Sequence, residues 1–420
     1  MTAVTATSND VVRTHDGTPL KVQLRRAERV RQLKALGLVA PLFLFIIVSF
    51  IAPIGNMLFY SVDNPELVHT LARTAETLRD WDGTELPGEE SFAALAADLQ
   101  QAKAEKTIGE VAKRLNYEIP GIRSDVMSTG RALEKIEAGP WKEVLLDIEE
   151  KAWGDVATWT VIKRASAPYT DYYFLAAVDR QRDLLGNIVP IDEAQAIFGK
   201  VYIRTFYISF LVTALTLLLG FPVAYLLATL PLKYSNLLMI LVLLPFWTSL
   251  LVRTTAWVVL LQSEGLANQA MMALGLISEP LQLIFNRVGT IIAMTHIQLP
   301  FTLLPIYSVM KTISPTHVRA ARSLGAGPFK AFWRVYFPQT LPGIAAGCLL
   351  TFILCLGYYI TPALVGGPSD QMLSYFVAFY TNQELNWGMA GALGVILLVI
   401  TLIIFMLYNK LVGIDRLKLG

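Results

Sequence analysis

The sequence predicts an all-α membrane protein: six transmembrane helices, with a helical soluble domain inserted between the first and the second. Three observations lead there. Hydrophobic residues make up 54% of the 420 residues and charged residues only 16%, against about 25% charged in soluble proteins. Six apolar segments are each long enough to cross ~30 Å of hydrocarbon, which takes about 20 helical residues. Charge is also segregated. Residues 62–199 carry 15 Lys/Arg against 25 Asp/Glu, a net of −10, and the rest carries 20 against 8, a net of +12.

In chain order, residues 1–35 form a basic arm holding Arg13, Lys21, Arg25, Arg26, Arg29, Arg31 and Lys34. The first span, 36–60, follows this long polar arm, and its apolar stretch exceeds a signal-peptide core, so it reads as a retained helix. Next comes the insert, 62–199. Five further spans lie at 202–229, 235–261, 288–310, 341–362 and 388–409, within a five-helix core of 200–410. A loop, 311–339, and a tail, 411–420, complete the chain. Pro41, Pro53, Pro222, Pro245, Pro300 and Pro305 fall in or at the edges of spans, where neighbouring helices can satisfy the freed carbonyls.

Orientation follows from the short loops. The 311–339 loop carries Lys311, Arg319, Arg322, Lys330 and Arg334, and the tail carries Lys410, Arg416 and Lys418, whereas 262–286 and 363–387 contain no Lys or Arg. The positive-inside rule puts both termini and the 311–339 loop in the cytoplasm and the insert outside. Beside a span, the basic arm reads as an orientation signal rather than a nucleic-acid site.

Turn signals at Pro87-Gly88, Pro120-Gly121 and Gly139-Pro140 divide the insert into short helices. Ser91 is a plausible N-cap for the helix that follows. Pro140 suits a first helical position, with Val144, Leu145 and Ile148 on one face. The acidic charge fits either a solvated cap or a docking surface for a cationic ligand or binding protein. Cys348 and Cys355 are separated by roughly 10 Å of helical rise, too far for a disulfide within one helix. The four histidines show no metal-site spacing.

The most informative stretch runs from His317 to Pro338. Arg319, Ala320 and Ala321 are followed by three residues, then Gly325, nine residues, and Val335-Tyr336-Phe337-Pro338. The spacing reads as two short helices joined by a bend. Gly325 supplies a φ > 0 conformation and Pro328 starts the second helix. This resembles the cytoplasmic coupling motif of ABC-importer permeases, Glu-Ala-Ala…Gly…Ile-x-Leu-Pro, with Arg319 in place of the usual glutamate.

Residues 201–415 further resemble the polyamine (spermidine/putrescine) importer permeases of the PotB/PotH type. Two segments carry the resemblance: Leu244-Pro245-Phe246-Trp247-Thr248, continuing through Arg253 to Ala256-Trp257, and Leu356-Gly357-Tyr358-Tyr359-Ile360-Thr361-Pro362 through Gly367. The long insert is not typical of that group. The resemblance implies the type I ABC-importer permease fold and a transport subunit that binds no cofactor itself. It also implies partners: ATPase subunits holding ATP and Mg, a second permease chain and a periplasmic solute-binding protein. A polyamine is the leading substrate class. Tyr358 stands where those permeases carry aspartate, which keeps opines and other amino-acid derivatives as an alternative.

Polar and aromatic groups within spans are candidates for the solute path, with packing as the alternative. They are Trp247, Arg253, His296, Gln298, Tyr358 and Tyr359. Along a straight helix from Ser235, Arg253 would lie roughly 27 Å away, near the outer face, where snorkelling also explains it. Tyr358 and Tyr359 would then sit in an aromatic belt. No GxxxxGK[ST] sequence is present, so hydrolysis of ATP falls to partners. A membrane sensor would need a cytoplasmic output domain, and an intramembrane enzyme would need paired carboxylates, a metal cluster or a Ser/His pair at depth.

Overall fold

The computed structural model describes residues 20–412. Most of the tail and residues 1–19 of the basic arm lie outside the described residues. The chain divides after Leu58 into two units. The first contains one long helix, α1, running through Leu20–Ile46, a π turn at Ile47–Ile51, and Ala52–Phe59. It therefore begins well inside the segment read as an arm. The π turn ends two residues before Pro53, and the Ala52 N–H reaches back five residues to the Ile47 carbonyl. A wider turn there accommodates a proline that has no N–H to donate.

In the second unit, eight helices follow in the insert: α2 (Pro65–Thr70), α3 (Ala72–Thr77), α4 (Glu89–Ala104), α5 (Ile108–Asn116), α6 (Ile122–Leu133), α7 (Trp141–Trp153), α8 (Val156–Ala165) and α9 (Tyr172–Ala176). A two-stranded hairpin, β1 (Arg180–Arg182) and β2 (Ile188–Pro190), closes it. On α4 the 3.6-residue repeat places Phe92, Leu95, Ala96, Leu99 and Ala102 on one buried stripe, joined by Leu67, Val111, Leu133, Leu145, Trp153 and Trp159. The N-cap of α4 is Gly88, and Ser91 is buried in its first turn, so the expected Ser91 cap is corrected. Pro140 caps α7 from just outside it rather than occupying its first helical position. The chain enters and leaves the helical body at one point: Asn64 N–H donates to Pro168 O (3.2 Å) and Thr170 N–H to Val62 O (2.8 Å).

The apolar core contains α10 (Phe198–Thr229), α11 (Leu232–Leu243), α12 (Leu250–Leu261), α13 (Leu266–Ala273), α14 (Arg287–Thr312), α15 (Pro315–Ser323), α16 (Pro328–Leu356), α17 (Ile360–Val365), α18 (Leu373–Asn382) and α19 (Trp387–Val412). Asp179 caps α10 by accepting from the N–H groups of Ile197, Phe198 and Gly199. Helices α10, α14 and α16 pack together. At their meeting point Thr302 donates to Thr216 (2.8 Å) and shares a 2.6 Å hydrogen bond with Thr351. Gly347 faces Thr302 so closely that a Cβ would stand 2.5 Å from its carbonyl oxygen, the close backbone approach that small residues permit between membrane helices.

Among the described residues, five helices are long and apolar enough to cross a membrane: Ala27–Phe59, Phe198–Thr229, Arg287–Thr312, Pro328–Leu356 and Trp387–Lys410. A sixth arises if Leu232–Trp247 and Leu250–Ala273 are counted as one broken span. Two expected spans change form. The 235–261 segment is not one helix, because its halves are bent by 98°. The 341–362 helix instead starts at Pro328 and ends at Leu356, so the second half of the 311–339 loop is already helical.

Candidate functional site

Two helix breaks build the site. In the first, Pro245 withholds an N–H, and the chain tightens into a 3-10 turn at Leu244–Trp247. Thr248 and Ser249 then become extended, and the Ser249 hydroxyl accepts from Val252 N–H (3.2 Å) to start α12. In the second, α16 stops at Leu356, and Gly357, Tyr358 and Tyr359 intervene before α17. Ser374 holds this turn by donating to the Tyr358 carbonyl (2.8 Å). The two broken segments meet where the Thr254 and Thr361 hydroxyls lie 3.1 Å apart, both buried.

Around that junction the structure brings together three residues singled out from sequence. Arg253 lies in the first turn of α12 with its guanidinium 5.6 Å from the Phe246 ring, and its buried Nε has no hydrogen-bond partner among the described residues. The Thr254–Thr361 contact brings Arg253 and Tyr358 to the same junction, and His296 reaches it through α12. The depth of Arg253 counted along a straight helix does not apply, because the helix turns at Thr248.

Trp257, part of the motif but not chosen as a site residue, is the missed member. Its Nε1–H donates to His296 Nδ1 (3.1 Å). Nδ1 is thus the lone-pair nitrogen and the ring proton sits on Nε2. Gln298, two residues on, does not join His296. It is buried, with Oε1 unpartnered among the described residues, whereas His296 is exposed. Trp247 is 75% exposed at the first break, and Tyr359 is also exposed. The junction offers a fixed cation, aromatic faces and hydroxyls. No Asp or Glu is among the residues named there.

At the opposite end of α14 lies the basic motif. Ser314 caps α15, Pro315 takes its first position, and Arg319 and Ala320 are exposed while Ala321 is half-buried. Gly325 adopts φ 90°, with Gly325 N–H bonded to Arg322 O and Ala326 N–H to Ala321 O, each 3.0 Å. These two bonds form a Schellman closure that favours glycine. The second helix of the motif is not a separate short one. It is the first part of the long α16, which runs on through a π turn at Phe332–Tyr336, and again the turn ends two residues before a proline, the exposed Pro338. Arg319 and Arg322 border a groove of about 560 Å³ with Lys311, Tyr225 and Phe332. Leu324 and Phe329 are exposed beside it.

Comparison with known proteins finds a family and relatives for the apolar part of the chain. The family described as "Binding-protein-dependent transport system inner membrane component" matches residues 217–412. The spermidine/putrescine transport system permease protein PotB of Haemophilus influenzae is 33% identical over 54% of this chain and 81% of its own length. PotB of Escherichia coli K12 is 30% identical over 50% of this chain and 77% of its own. Among solved structures, a chain of a bacterial alginate ABC transporter aligns with TM-score 0.41 and 20% identity, over 51% of this chain and 77% of that one.

Proposed function

The chain belongs to the inner membrane components of binding-protein-dependent transport systems, as an ABC-importer permease of the PotB type, and we propose that it carries a polyamine-like cation such as spermidine or putrescine. The observation behind this substrate class is the 33% identity across 81% of a PotB relative. The chain is a multi-pass inner-membrane transport subunit, not an enzyme. In the proposed assembly it supplies one half of an alternating-access pathway, and a second permease supplies the other. Two ATPase copies hold the ATP and Mg, and a periplasmic protein delivers the solute. Both termini and the 311–339 segment face the cytoplasm, and residues 62–199 lie outside.

The solute path runs past the junction of the two helix breaks. Interrupted helices free backbone groups that are tolerated at membrane depth only within protein or beside a watery path. There Tyr358, Trp257 and Trp247 offer π faces to an ammonium, each contact contributing about 0.5–2 kcal/mol. The helix bearing Arg319, Ala320 and Ala321, the bend at Gly325 and the segment ending at Pro338 form the contact with the ATPase. Movement of that contact biases the bundle between inward- and outward-facing states.

A second reading rests on one observation: the buried Nε of Arg253 lacks a partner among the described residues. A solute carrying a carboxylate, such as an opine or another amino-acid derivative, would supply one. Initial uptake rates at matched expression separate the two. For a cation held by the ring, Tyr358→Phe keeps most uptake, Tyr358→Ala loses it, and Arg253→Gln is tolerated. For a carboxylated solute, Arg253→Gln and Tyr358→Phe both impair uptake. Normal transport by Tyr358→Ala would remove this junction from the path.

A further inference from the structure

Away from the helix breaks, a cavity of about 360 Å³ lies between the insert and the turn that leads into α19. Its lining includes Glu66 of α2, Glu110 and Arg114 of α5, Tyr117, Tyr173 of α9, and Trp387. Arg114 is almost wholly buried, its side chain 1% exposed. Its Nε donates to Asn64 Oδ1 (2.8 Å), its Nη1 pairs with Glu118 (2.9 Å), and the rings of Tyr172 and Tyr173 lie 5.2 and 5.9 Å from the guanidinium. So held, the guanidinium has little freedom to turn. Its Nη2 nonetheless has no hydrogen-bond partner among the described residues, and neither has the buried Oε2 of Glu66 on the same cavity. A buried donor on a cation and a buried acceptor on a carboxylate, both unmet, each carry a desolvation cost that a ligand could remove.

We infer that this cavity binds a small zwitterion of the α-amino-acid class, its carboxylate accepting from Arg114 Nη2 and its ammonium donating to Glu66 Oε2. A diamine would leave the Arg114 donor unmet and set a second cation against it. A dicarboxylate would leave Glu66 unmet and face Asp63 and Glu110 as well. Lys113, which also borders the cavity, directs its ammonium to the carbonyls of Glu384 (2.6 Å) and Leu385 (3.4 Å). Burial, reinforced by Glu66, pushes the Tyr117 and Tyr173 hydroxyls well above the ordinary tyrosine range, so they stay neutral. With Trp387 they offer ring faces to the ammonium. The volume is at the small end for ligand sites, suited to a single amino acid rather than a peptide.

The test uses the full chain in its assembled complex, reconstituted in nanodiscs, with binding measured by calorimetry. The probes are glycine, L-alanine, L-serine and L-glutamine, with putrescine and succinate as charge controls. At least one zwitterion should bind saturably, and Glu66→Gln, nearly isosteric, should weaken it tenfold or more while the thermal unfolding midpoint of the empty protein holds. Absence of saturable binding by all four zwitterions would overturn the inference. So would zwitterion affinity unchanged in Glu66→Gln, or putrescine binding more tightly than the zwitterions and displacing them.

Discussion

Replacing Gly347 with alanine tests how the bundle is held. A Cβ built there stands 2.5 Å from the Thr302 carbonyl oxygen and 3.2 Å from both its carbonyl carbon and its Cα. Those atoms are backbone, so no rotamer change relieves the contact, and α14 and α16 must separate by about 0.7–1 Å to reach ordinary van der Waals distance. Overpacking of this kind costs about 1–3 kcal/mol. The same separation stretches the 2.6 Å Thr302–Thr351 bond toward the limit of a useful hydrogen bond, and interhelical bonds in membranes contribute about 0.6 kcal/mol each. A destabilisation of about 2–4 kcal/mol is expected. Gly109, exposed on α5 with nothing within 4 Å of its would-be Cβ, is the control: Gly109→Ala should be neutral or stabilise by about 0.5–1 kcal/mol. Denaturant unfolding of the purified permease in detergent reads both. Equal stability of Gly347→Ala and wild type would show that the helices are not in backbone contact there.

Three other outcomes are expected. Gly325→Val forces a β-branched residue to φ 90°, at a cost of about 1–3 kcal/mol. It should uncouple ATPase activity from transport in the assembled complex, with assembly checked separately; wild-type coupling would remove the bend from the ATPase contact. Burial holds the Asp98 carboxyl above its ordinary 3.8, against the opposing hydrogen bonds from Thr74. Its contribution to stability is therefore present below pH 3.8 and is lost as the pH rises through the raised pKa. Asp98→Asn, which can still accept from Thr74, should flatten that part of the stability–pH profile, and an unchanged profile would exclude Asp98 as its source. In a background lacking Cys348 and Cys355, cysteines at the exposed positions Glu137 and Asn382 should react with impermeant thiol reagents in spheroplasts. One at Ser323 should react only after permeabilisation, and the reverse pattern would invert the proposed topology.

The apolar segments and the insert were legible because hydropathy and charge vary over tens of residues, the scale on which lipid and water select helices. The breaks were not. A hydropathy window averages across Pro245 and Thr248-Ser249, although a proline followed closely by a capping serine was a local signal for a new helix start. Tyr358 and Arg253 could be chosen from their motifs, but their meeting depends on Thr254 and Thr361, 107 residues apart. Nothing local announces such a pair. Trp257 and Trp247 stand in the same motif, and only the fold shows that it is Trp257 that points to His296. Ser91 fits a cap by residue type, yet Gly88 ends the turn and leaves Ser91 on the buried stripe. The Thr216–Thr302–Thr351 cluster was likewise invisible, since threonine alone has no periodic signature.

The hydrogen bonds joining residues 62–64 to 168–170 bear on how such a chain can change over evolutionary time. A folded body whose two ends are tied to each other adds almost no distance between the segments it separates. A tight turn of a few residues could bridge the same gap, and domains with adjacent ends are the ones that tolerate insertion and removal. The parts of this chain under the strictest geometric constraint, the bundle and its basic bend, therefore meet the residues between 64 and 168 only through Lys113, Tyr117 and their neighbours at the turn before α19. Growth or loss there is nearly free of topological consequence. What has to be kept in register with the bundle is the segment from Tyr172 to Phe198 and Tyr117, packed against α18 and α19, together with Lys113, bonded to the carbonyls of Glu384 and Leu385.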